Sequence, residues 1–110
     1  MNSGERRAAR HYRLRGYMVL DANARAGGYE LDLVLRRGRC VVFCEVKEKR
    51  GDRYGAPEEM VDAEKRRRVR RAALAWLAAR PELAGLGVRF EVAAVQGGRV
   101  RRLPGDYFDE

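Results

Sequence analysis

The chain has 110 residues, the size of one domain with a modest core, and a 45% hydrophobic content that excludes a disordered chain. A formal net charge of +8 and a pI near 10.2 point to a polyanionic partner. No apolar run approaches the roughly 20 residues that cross a bilayer, and Met1 leads straight into charged residues without a signal-peptide pattern, so a cytoplasmic protein with no membrane partner is expected.

Ser3 to Arg15 reads as a helix, with Ser3 as its N-cap and Gly16 past its end. Ala8, Ala9 and Tyr12 form a thin apolar stripe, and Glu5 falls on the same stripe. A carboxylate there either answers the helix dipole in the first turn or reaches a site beneath the helix. Arg6, Arg7, Arg10 and Arg13 fall mainly on the other sides, where they can meet phosphate. Tyr17 to Leu20 reads as a strand leading into a loop, Asp21 to Gly28, which carries Asn23 and Arg25.

Tyr29 to Lys49 follows as two strands joined by a tight turn at Arg37-Gly38, because glycine tolerates the positive φ that hairpin turns demand. Period-2 alternation puts Glu30, Asp32 and Val34 on one face of the first strand and Leu31, Leu33 and Leu35 on the other. On the second strand, Val41, Phe43, Glu45 and Lys47 share one face, and Cys40, Val42, Cys44 and Val46 the other. If Arg36 pairs with Arg39, Asp32 stands opposite Phe43 and diagonal to Glu45, roughly 7–8 Å away. Carboxylates gathered on a hairpin this apolar repel one another and resist desolvation unless something positive is held between them. A hard divalent cation such as Mg²⁺, which takes one or two carboxylates with waters and phosphate, meets that need. The other reading is an edge hairpin whose polar face is simply solvated.

Cys40 and Cys44, four residues apart on one strand, are separated by roughly 13 Å. That exceeds disulfide reach, and no second ligand pair supports zinc, so both read as free thiols in a reduced core.

Lys49 to Ala56 is charged, contains glycine and lacks periodicity, so it reads as a loop beside the carboxylates, with Tyr54 able to stack on a base or to pack. Pro57 opens a long helix, with Glu58 and Glu59 in its first turn, that runs to about Arg80 and is stopped by Pro81. Its stripe of Val69, Ala72, Ala73, Trp76 and Leu77 faces the sheet, while Lys65 to Arg71 is the densest basic run in the chain. Val88 to Val95 alternates Val88, Phe90, Val92 and Ala94 on one face, and Gly97-Gly98 turns it into Arg99 to Leu103. Tyr107 and Phe108 lie in the tail.

An acidic residue on one strand, Asp32, followed by Glu45-Val46-Lys47 at the end of the next, resembles the core of the PD-(D/E)XK nuclease superfamily. At finer grain, Gly4-Glu5, Gly16-Tyr17, Asn23, Arg25, Glu30-Leu31-Asp32-Leu33, Phe43-Cys44-Glu45-Val46-Lys47, Tyr54-Gly55, Pro57-Glu58, Lys65 and Arg89-Phe90 occur in order. This set resembles the YraN family of small bacterial proteins, expected to be endonucleases and similar in fold to archaeal Holliday-junction resolvases. The chain departs from that pattern at Tyr29, where the family usually has Gly, at Leu31, where the superfamily motif has Pro, and at Lys49, where Arg is common.

The resemblance implies one α/β domain over residues 1–110: a restriction-endonuclease-like core with a mixed sheet of about five strands, flanked by the two helices. It implies Glu5, Asp32 and Glu45 as ligands of Mg²⁺ or Mn²⁺, and Lys47 as the group that orients or deprotonates the attacking water or neutralises the phosphorane. Arg25, Lys49, Tyr54, Lys65, Arg66, Arg67 and Arg70 are the expected nucleic-acid contacts. The activity implied is cleavage of structured DNA, by a homodimer if two symmetric cuts are made. Two alternatives compete with it: a non-catalytic nucleic-acid-binding module that keeps the nuclease fold, and a protein whose basic helix docks on an acidic partner.

Overall fold

Proline and glycine divide the chain where their backbone preferences require. In the computed structural model, which describes residues 1–49 and 63–104, helix α1 (Ser3–Arg13) precedes strands β1 (Met18–Ala26), β2 (Tyr29–Arg37) and β3 (Cys40–Lys49). Helix α2 (Ala63–Ala78), a 3-10 turn at Pro81–Leu83, β4 (Gly87–Gln96) and β5 (Arg99–Pro104) follow. The strands form one mixed sheet in the order β1-β2-β3-β4-β5, antiparallel except for the β3–β4 pair, which α2 connects. The expected start of α2 at Pro57, with Glu58 and Glu59, and the residues Tyr54, Tyr107 and Phe108 lie outside the described residues.

The two helices cover opposite faces of the sheet. Ala8, Ala9 and Tyr12 of α1 pack on Leu33, Leu35, Val42, Cys44 and Ala93. Val69, Ala72, Ala73 and Trp76 of α2 pack on Val34, Val41, Phe43, Phe90 and Val92, with Leu77 at the margin, as the stripe predicts. Each fully buried aliphatic side chain contributes on the order of 1.5–3 kcal/mol. Both cysteines are free thiols, Cys44 buried and Cys40 half-buried.

Five local expectations are corrected. The cap of α1 is Asn2, not Ser3: its side chain accepts from the Glu5 N–H while the Glu5 carboxylate accepts from the Asn2 N–H. The helix ends at Arg13, short of Arg15. The Asp21–Gly28 stretch is not a loop; it is β1 as far as Ala26, turned into β2 by Gly27-Gly28. The β2–β3 turn is Gly38-Arg39, with Arg37 paired to Cys40, because the turn takes its positive φ (58°) at its first central residue. That register brings Asp32 level with Glu45 instead of Phe43.

The fifth correction concerns the face assigned to Leu31. It joins the α2 cluster while Leu33 and Leu35 join the α1 cluster, so strict alternation breaks at Asp32. Across the ladder, Ala22 pairs with Leu33 and Ala24 with Leu31, while Asn23 between them adopts φ 50°, the only positive φ outside glycine among the described residues. Asparagine tolerates this left-handed conformation better than most residues. The kink turns the tip of the β1–β2 hairpin onto α2, where a Cβ on Gly27 would lie 3.1 Å from the Arg71 carbonyl oxygen and 3.2 Å from Ala72 Cα.

Gly27→Ala and Gly28→Ala both introduce left-handed strain of about 1–2 kcal/mol. Only Gly27 meets helix backbone; Gly28 faces open space. Urea unfolding is expected to show Gly27→Ala less stable than Gly28→Ala by about 1 kcal/mol or more.

Candidate metal and phosphodiester site

The site begins where the β2–β3 ladder stops. Its last regular pair is Leu33 with Cys44, and beyond it side chains take over the backbone's hydrogen bonds. The Asp32 N–H donates to Glu45 Oε2 (3.2 Å), and the Val46 N–H donates to Asp32 Oδ2 (2.8 Å). The Tyr29 hydroxyl donates to Glu45 Oε1 at 3.2 Å. Two carboxylates are thus fixed side by side, one from each strand. Glu45 is 2% exposed.

Burial, followed by the neighbouring Asp32 carboxylate, pushes the Glu45 pKa up to about 7. Asp32 is also raised, chiefly by burial, with Glu5 adding repulsion and the Val46 N–H opposing. Lys47, on the same side of β3, is lowered to about 8 by burial and then by contact with Lys65 of α2. Lys65 draws both carboxylates toward their charged forms but does not cancel the burial penalty. Burial thus draws Glu45 upward and Lys47 downward toward one another.

Glu5 approaches from α1. Its Oε1 accepts from the Asn2 N–H (2.9 Å) and from Asn23 Nδ2 (3.1 Å), so the capping role and the position beside the site coexist. Among the described residues no group of three His, Cys, Asp or Glu side chains forms a metal cage. Asp32 and Glu45 therefore stand as a two-carboxylate pair with Glu5 at its edge. Glu30 is exposed and reaches Asn23 Nδ2 only at 3.5 Å.

The expected nucleic-acid contacts are spread more widely. Arg25 is exposed, on a strand rather than in a loop, and pairs across it with Glu30. Lys49 ends β3 half-buried, and Tyr54 lies outside the described residues. Lys65 is half-buried at the carboxylate pair, Arg66 and Arg70 are half-buried further along α2, and Arg67 is exposed. A hollow of about 230 Å³ between Tyr29 and Glu64, Lys65 and Arg68 opens next to the pair.

Two features escaped the sequence reading. Tyr29, whose apparent role is a departure from family pattern, bonds Glu45 directly. Glu91, 2% exposed on β4, accepts from the Tyr12 hydroxyl (2.6 Å), Arg89 Nη2 (2.7 Å) and Arg102 Nε (3.0 Å). A charged residue inside an apolar strand was the available signal for Glu91, but its partners come from α1 and β5.

Residues 4–95 match the model of the Uncharacterised protein family UPF0102. The chain belongs to the UPF0102 family. This is the YraN family that the ordered motifs resemble. A UPF0102 protein of Frankia casuarinae is 48% identical over 92 residues, covering 84% of this chain and 77% of that relative. One from Geobacter sulfurreducens is 40% identical over 92 residues, 84% and 71% of the two chains. One from Moorella thermoacetica is 40% identical over 102 residues, 93% and 84%. The family match runs from α1 through β4 and so contains Glu5, Asp32, Glu45, Lys47 and Lys65.

Without divalent cations the folded state holds more protons than the unfolded chain between about pH 4.5 and about 7, because the Glu45 pKa is raised on folding. Stability therefore falls as pH rises through that window. Chemical denaturation in EDTA should register a loss on the order of 2–3 kcal/mol across it, and Glu45→Gln should flatten most of that slope.

Proposed function

We propose that this protein is a metal-dependent endonuclease that hydrolyses phosphodiesters in structured DNA, with a PD-(D/E)XK-like core supplying Asp32, Glu45 and Lys47. The contrast between two equally buried glutamates supports this reading most. Glu91 is met by Arg89, Arg102 and Tyr12, and its pKa is lowered by those bonds despite burial. Glu45 is instead set against a second carboxylate and is raised to about 7. A fold able to surround one buried carboxylate with guanidinium groups leaves the other pair suited to a cation.

The donor set fits Mg²⁺ or Mn²⁺. Asp32 and Glu45 are hard oxygen ligands whose hydrogen bonds to Val46, Asp32 and Tyr29 orient them without using every lone pair. When bound, such an ion lowers the pKa of a coordinated water and takes up charge on the phosphate. The protein's own groups do the rest. The two backbone-anchored carboxylates fix the reacting position, Tyr29 holds Glu45, and Lys47 gives or takes a proton near its pKa of about 8 or offsets negative charge. Lys65 adds a second positive group for the substrate phosphate.

Cleavage should be assayed with Mg²⁺ and with Mn²⁺ on duplex, single-stranded, flap and four-way-junction DNA. Asp32→Asn and Glu45→Gln are each expected to lower cutting by at least about 10²–10³-fold. Lys47→Ala is expected to lower it by about 10²–10⁴-fold with a changed pH profile. Undiminished cutting by Asp32→Asn would refute the assignment. Tight metal-independent binding with no cutting of any substrate would leave the non-catalytic nucleic-acid-binding module in its place.

A further inference from the structure

We propose that the outer face of α1, with the β4–β5 turn, forms a second nucleic-acid groove that holds a strand's phosphate backbone outside the Asp32–Glu45 site. It stands whether or not that site turns over. Helical spacing puts Ser3, Arg7, Arg10 and Leu14 on the face opposite Ala8, Ala9 and Tyr12, which are buried on the sheet. With Arg6, His11 and Arg15 they line one wall of a hollow of about 640 Å³, and Gly98 and Val100 line the other. Among the described residues, four arginines and one histidine face this space and no Asp or Glu lines it.

Glycine at position 98 shapes the groove. A Cβ there would fall 2.9 Å from Arg7 Nη1, so the guanidinium lies directly across the turn. A neighbouring hollow of about 410 Å³ shares Val100 and continues along β5 past Arg99 and Arg101. The basic surface therefore wraps from the helix onto the last strand.

Length and charge together select a polynucleotide. The 11 residues of α1 rise roughly 16 Å at about 1.5 Å per residue. That covers about five nucleotide steps of roughly 3.4 Å. Guanidinium groups repeated over that distance match phosphates repeated along a backbone, and planar forks bind them bidentately. Ser3, at one end of the groove, donates to Glu48 of β3 at 3.4 Å, which ties that end of the helix to the strand that also carries Glu45.

His11 provides a reporter, being the only histidine in the chain. Wild type and an Arg6→Ala/Arg7→Ala/Arg10→Ala variant, both in an Asp32→Asn background, are titrated in EDTA across a salt series with labelled duplex DNA of about 20 base pairs. Removing three phosphate contacts should flatten the plot of log affinity against log salt by roughly 2–3 and weaken binding at least about tenfold. Lysine at the same three positions should restore most of the slope, and duplex should shift the His11 imidazole resonances. An unchanged slope, or still His11 resonances while DNA binds, would overturn the groove. So would His11 shifts with phosphatidylserine vesicles but none with DNA. Because neither metal nor an active Asp32 is present, a negative result here leaves the cleavage proposal untouched, and a failed cleavage assay leaves the groove untouched.

Discussion

The structure depends on a reciprocal exchange in which Asp32 and β3 each satisfy the other's backbone with side chain. Where β2 and β3 part, an N–H on each strand loses its ladder partner, and an orphaned buried N–H costs on the order of 1–3 kcal/mol. The Asp32 N–H is taken by Glu45, and the Val46 N–H by Asp32. The strands can then separate without polar loss. The opening lets the β1–β2 hairpin bend at Asn23, so that Ala24, Leu31 and Tyr29 leave the α1 side and reach α2. Sheet geometry and site geometry are therefore one arrangement, because the residues that close the ladder are the candidate ligands.

Three buried carboxylates show how differently the chain treats the same chemical problem. Glu91 is enclosed by cations, and Arg102 is further stacked 4.7 Å from the Tyr12 ring centroid and 5.0 Å from that of Tyr17. This cluster ties α1, β4 and β5 into one unit, where cation–π contacts add on the order of 0.5–2 kcal/mol each. Glu5 is held by the capping box and Asn23. Glu45 is set directly against another acid, Asp32, and its penalty is carried by the rest of the fold.

The far side of the sheet is secured by a different polar contact. Trp76 Nε1 donates to Asp21 Oδ2 at 2.9 Å, and Arg80 lies over the Trp76 ring at 3.9 Å while reaching the same carboxylate. The register shift between Val19 and Asp21 accompanies this arrangement on β1. Helix α2 is thereby held along its length, by Gly27 against its backbone, by its apolar stripe on the sheet and by Asp21 near its end. Lys65 in its first turns is kept beside the carboxylates.

Element order, the stripe of α2, the β4–β5 hairpin and the opposition of Cys44 to Glu45 were legible from the sequence, since each rests on local periodicity or on glycine and proline. The ordered motifs pointed to the family and to Asp32, Glu45 and Lys47. Alternation failed at Leu31 and the turn was misplaced by one residue, because both depend on where β2 separates from β3. No run of residues encodes that separation: it is set when the Asp32 N–H donates to Glu45, thirteen positions away, and the Asp32 carboxylate accepts from the Val46 N–H. The partners of Glu91 were hidden for the same reason, being drawn from α1 and β5. Most helices and strands were marked locally, because those preferences act over a few residues, whereas Asp21–Ala26 is strand through its pairing with β2. Which buried carboxylate meets guanidinium groups and which is set against another acid followed from folding alone, because desolvation and charge pairing act between segments distant in the chain.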